Sequence, residues 1–111
     1  MPEFAVLFRP GPRPLDAAEQ ARRAAAVRAW VTDASQRGVL DHPHLLDDAG
    51  FALAADRTAA PLGPNPLAAI LIVHAADLDA AVAVARSHPG FDFGATTEVR
   101  PLKPQVLLPP R

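Results

Sequence analysis

The chain has 111 residues, half of them apolar, with 11 basic and 12 acidic side chains, a net charge of −1 and no cysteine. That is enough for one domain spanning 1–111 and not two. The mixed, near-neutral charge argues against a general nucleic-acid binder, which needs a concentrated basic face, and the missing thiols exclude disulfides, thiol nucleophiles and thiolate metal sites.

Glu3 to Arg9 (EFAVLFR) alternates Phe4, Val6 and Phe8 with Ala5, Leu7 and Arg9. Both sets are largely apolar, which suits a central strand. The prolines of RPGPRP then exclude helix and paired strand. Asp16 opens a helix, with Glu19 placed for a capping box. Ala17, Ala21, Ala24, Val27, Val31 and Ala34 recur at helical spacing, and Gly38 supplies the stop.

Val39 to Leu46 (VLDHPHLL) is a weak strand, and Pro43 assigns it to a sheet edge. DDAG at 47–50 reads as a turn, FALAA at 51–55 as a short returning strand, and DRTAAPLGPNP as a loop. Leu67 to Ala75 is the most apolar strand, with Ile70, Ile72 and His74 on one face and Ala69, Leu71 and Val73 on the other. Asp77 caps a second helix, and Pro89 ends it. Ala95 to Leu102 is the last strand, followed by a proline-bearing tail at 103–111.

The order is β-α-β-(β)-β-α-β, an α+β chain of the ferredoxin-like, split βαβ kind with an extra short hairpin strand after the second strand. Right-handed crossovers place strands 3–9 and 67–75 side by side in the centre, with both helices on one face of the sheet. The other face stays apolar and open, which calls for a second copy packed sheet against sheet. No apolar run approaches the length of a membrane-spanning helix, no basic amphipathic stretch suggests a membrane surface, and the N-terminus has no signal-peptide pattern, so a cytoplasmic homodimer is expected.

EFAVLFRPGP, AWVTDASQRGVL, ILIVHAADLDAAVAVARSHPG and TTEVRPL, in that order, resemble the YCII-related domain family, small proteins of the dimeric α+β barrel class. The resemblance spans nearly the whole chain. It implies a homodimer with a cleft between helices and sheet in each subunit. In the founding branch a histidine and an aspartate occupy that cleft, and some relatives act on small ring compounds. Two family patterns are absent: the first helix has no histidine, and Asp56-Arg57-Thr58-Ala59 replaces an aspartate-glycine-proline-phenylalanine motif. The residues that align to family motifs are Trp30, Asp56, His88, Glu98 and Arg100.

Two functions follow as expectations. One is an acid–base enzyme on a small cyclic or carbonyl compound, with His88 or His74 acting with Asp56. The other is a non-catalytic ligand-binding, regulatory or protein-interaction module, which the missing helix histidine favours. A polar cleft enclosing a histidine–carboxylate pair would favour the first, and an apolar one the second. Trp30, Glu98 and Arg100 are candidate ligand contacts. The plainer reading makes Trp30 a core residue and Glu98 with Arg100 a cross-strand ion-pair set. Arg22, Arg23 and Arg28 read as a solvated helix face, with an anion site as the alternative.

His74 at a strand end is most simply an interface or sheet-end residue. His88, before Pro89, is most simply a helix-end residue near the negative end of the dipole, whose removal costs little stability. Between the two, His88 is the expected ligand contact, and the strand alternation leaves open which face His74 occupies. His42 and His44 share a strand face, where Asp41 or Asp47 could join them on a metal, but Pro43 between them makes a regular strand doubtful. No metal or cofactor is expected, and no phosphate loop, dinucleotide glycine pattern or serine elbow is present.

Overall fold

A computed structural model describes residues 1–103. It contains six strands, two α-helices and a short 3-10 helix. They run in the order β1 (Glu3–Arg9), α1 (Ala17–Gln36), β2 (His44–Leu45), β3 (Phe51–Leu53), β4 (Ala59–Pro61), β5 (Ala69–His74), α2 (Leu78–Arg86), the 3-10 helix (Pro89–Phe93) and β6 (Thr96–Pro101). Four strands form an antiparallel sheet in the order β2-β5-β1-β6, and β3 pairs with β4 in a separate two-stranded sheet. The chain is therefore mixed α+β, with its two most apolar strands adjacent in the centre. Among the described residues no helix is long and apolar enough to cross a membrane.

Local chemistry accounts for the element ends. Asp16 accepts from the Glu19 amide at 2.8 Å while the Glu19 carboxylate accepts from the Asp16 amide, a complete capping box. Asp77 caps α2 through the Ala80 amide at 2.8 Å. Gly38 has φ +73°, the left-handed conformation in which a glycine pays no Cβ penalty.

Three expectations are corrected. The strand read over 39–46 shrinks to a bridge between Leu40 and Val73 and the two-residue β2, because Pro43 interrupts pairing between them. The short strand at 51–55 is β3, but it leaves the main sheet and pairs with β4, which lies within the stretch read as a loop. α2 ends at Arg86, and Pro89 opens the 3-10 helix rather than closing α2 directly. Residues 104–111 of the tail lie outside the described residues.

Register assigns the faces. Phe4, Val6 and Phe8 stand opposite Val73, Leu71 and Ala69. These residues share one core with Ala34 of α1 and with Ala81 and Ala85 of α2, so both helices cover that face. Alanine at the contact points lets the helices approach closely. Val6 and Val73 are fully buried, each contributing about 1.5–3 kcal/mol relative to exposure. The opposite face carries Ala5, Leu7, Ile70 and Ile72, and among the described residues no helix packs on it.

Candidate functional site

A cleft of about 490 Å³ opens between α1 and the sheet. Ala24, Val27 and Val31 of α1 form one wall, and Phe8, Ala69 and Leu71 of the sheet form the other. Pro43 and Leu45 close one side, and the polar groups that line it include His88, Arg23 and Arg28. A larger depression of about 640 Å³ lies beside the 62–67 loop, but it is more open and no histidine lines it.

His88 is only 7 % exposed. Its extended backbone, φ −67° and ψ 131°, follows from the proline after it. The ring turns back to cap the 3-10 helix, and Nδ1 accepts from the Gly90 amide at 2.9 Å. Phe8 and Trp30 hold the imidazole, each with its ring centroid 4.7 Å away. Trp30 is fixed in turn, because its Nε1–H donates to Ser87 Oγ at 2.9 Å and that hydroxyl donates to the Val84 carbonyl at 2.6 Å. Trp30 thus backs His88 and does not itself line the cleft.

Two chemical consequences follow. Burial disfavours the imidazolium and lowers the His88 pKa, which favours the neutral ring. Because Nδ1 is an acceptor, the ring proton resides on Nε2. No described residue is bonded to Nε2, and no buried side-chain nitrogen is left unpaired. Nε2–H is therefore not sealed in the core, and His88 is among the residues that line the cleft.

The other candidate residues lie elsewhere. Asp56 sits exposed in the β3–β4 turn, accepting from the Thr58 hydroxyl at 2.7 Å and the Thr58 amide at 3.0 Å. These bonds, the hydroxyl first, lower its pKa, and its carboxylate is committed to the turn rather than to His88. Glu98 and Arg100 stand opposite Leu7 and Ala5, which puts them on the open face of the sheet. Among the described residues neither takes part in an ion pair.

His74 is on that open face too, opposite Glu3. Its Nε2 lies 2.8 Å from Asp41 Oδ2. Asp41 reaches it because its amide donates to the Ile72 carbonyl at 3.0 Å, which aligns this segment along β5. Glu3, Asp41 and His74 each bring one ligand atom within 4.8 Å of the others, with both carboxylates exposed. His42 and His44 have ring centroids 6.2 Å apart and belong to no such three-ligand group among the described residues.

Arg23 and Arg28 are, as expected of a solvated helix face, partly exposed and exposed respectively, and they also line the mouth of the cleft. Their spacing around Ala24, Val27 and Val31 was the available signal. No comparable signal marked Phe8, Ser87 or Gly90, whose contacts with His88 and Trp30 depend on the packing of the whole fold. No family model matches the sequence, and no curated protein matches it.

Proposed function

We propose that the chain is a homodimeric, ferredoxin-like YCII-related protein of the dimeric α+β barrel class whose α1–sheet cleft binds a small molecule. The strand order, the helices gathered on one face and the apolar open face support this reading. The observation that carries the binding function is His88: a buried imidazole with one free N–H in a cleft whose walls are mostly apolar and whose other polar groups include Arg23 and Arg28. Such a cleft, in the usual size range of ligand pockets, encloses an apolar body and fixes it through a few polar groups.

The geometry favours binding over acid–base catalysis in this cleft. Among the described residues no carboxylate lines it, and the fixed tautomer makes Nε2 a donor rather than a base. An enzymatic reading is supported instead at His74, where Asp41 supplies the carboxylate partner at 2.8 Å. There the pair would serve proton transfer on a small cyclic or carbonyl compound.

Side-chain imidazole NMR during a small-molecule screen separates the two. Binding in the cleft shifts the His88 resonances and leaves those of His74 in place. Compounds that move only the His74 signals would overturn the cleft reading in favour of the open-face pair.

A further inference from the structure

We infer that the cleft selects a small organic monocarboxylate, with its apolar body between α1 and the sheet and its charge at Arg23 and Arg28. This rests on the cleft being the binding site. Arg23 and Arg28 line the same cavity as His88. Among the described residues neither guanidinium forms a side-chain hydrogen bond or an ion pair, since the basic partners in ion pairs are Arg13, Arg37 and His74. Two unpaired cations beside an apolar wall attract an anion, and the planar guanidinium fork matches a carboxylate.

The body of the cleft selects against a bare inorganic anion. Ala24, Val27, Val31 and Leu71 offer no hydrogen bond to replace lost water. His88, with more than nine-tenths of its surface buried and Nε2–H unpartnered, supplies a single donor within this apolar surround. A ligand that satisfies all three features carries a compact apolar body, an acceptor for Nε2–H and one carboxylate.

The test compares acids with their neutral amides on the full-length protein. Phenylacetate and hexanoate are titrated against phenylacetamide and hexanamide by calorimetry, with imidazole NMR reporting His88. Each acid should bind about fivefold more tightly than its amide, the scale of a partly exposed charge pair. Arg23→Gln/Arg28→Gln should remove that preference and keep amide binding, whereas Arg22→Gln, outside the cleft, should retain the preference. Equal binding of acid and amide, or a preference that survives the double substitution, overturns the carboxylate inference and leaves the cleft reading intact. Inorganic phosphate that displaces the acids at equal concentration also overturns it. If none of the four compounds binds or shifts His88, the cleft reading falls and the inference with it.

Discussion

The Gly90 amide donates to His88 Nδ1 at 2.9 Å, and this one bond sets both the place and the tautomer of the imidazole. A histidine at the end of α2 was expected to offset the last helical carbonyls. Its backbone amide does donate to the Ala85 carbonyl at 3.0 Å, but its side chain caps the following 3-10 helix, and the ring forms a layer with Phe8 and Trp30.

Gly90 is required by that layer. A Cβ there would stand 2.6 Å from Phe8 Cζ and 3.0 Å from His88 Nδ1. Both neighbours are rigid rings, so the strain cannot be relieved by a flexible side-chain end. Gly90→Ala should therefore cost about 1–3 kcal/mol as overpacking. Urea unfolding measures the cost, and an unchanged midpoint would show that the ring layer is looser than described.

His88→Ala should cost more than the 0.3–1 kcal/mol of an exposed helix-end contact. Its loss opens a cavity beside Phe8 and Trp30 and leaves the Gly90 amide without its acceptor. About 2–3 kcal/mol is expected from these two effects. His88→Asn can retain a cap on Gly90 and should lose less than His88→Ala. Equal losses would assign the whole effect to packing.

The same residue makes stability depend on pH. Its folded-state pKa lies below the ordinary value of 6.5 because burial penalises the charged ring. At pH above that value both states are neutral and the contribution is complete. As pH falls below it, the unfolded chain takes up a proton that the folded chain refuses, so stability declines and levels off below the folded-state pKa. Relative to wild type, His88→Asn should flatten the denaturation midpoint between pH 6.5 and the folded-state value. Parallel profiles for the two proteins would refute the assignment to His88.

Trp30 gives a spectroscopic view of the same layer. Its indole N–H donates to Ser87, which is itself anchored on Val84. Ser87→Ala removes the acceptor, and because Trp30 is only half-buried, water can replace it. A loss of about 1 kcal/mol and a red shift of the sole tryptophan's emission are expected. Unaltered emission would mean that the bond does not hold the ring.

Much of the scaffold is written locally. Asp16 and Glu19 spell a capping box, Asp77 a helix start, and the alternation in 69–74 a strand. The cleft is not local, since Phe8 and His88 are eighty positions apart in sequence and meet only when β1 and the 3-10 helix pack. The face of His74 was likewise undecidable, because both faces of β5 are apolar and only the placement of the helices distinguishes them. β4 was hidden in a stretch whose prolines argue for loop, and it forms at all because it stands outside the main sheet, where Pro61 withholds no interior ladder bond.

The open sheet face yields the last prediction. Leu7, Ile70 and Ile72 remain half-exposed there around Ala5, flanked by Glu3, His74, Glu98 and Arg100. An apolar strip with a charged border is what a closed two-fold, sheet-to-sheet contact buries, each subunit presenting the same patch to the other. Light scattering at micromolar concentration should give about twice the 11.7 kDa chain mass. Ile72→Glu would place an unpaired carboxylate in the middle of that contact, where desolvation strongly opposes association. It should yield a monomer whose circular dichroism retains the helical signal, because Ile72 faces away from the α1 and α2 core. A wild-type protein that scatters as a monomer while fully folded would refute the dimer. An Ile72→Glu protein that stays dimeric would move the contact to another surface, such as the β3–β4 hairpin with its exposed Phe51 and Leu53.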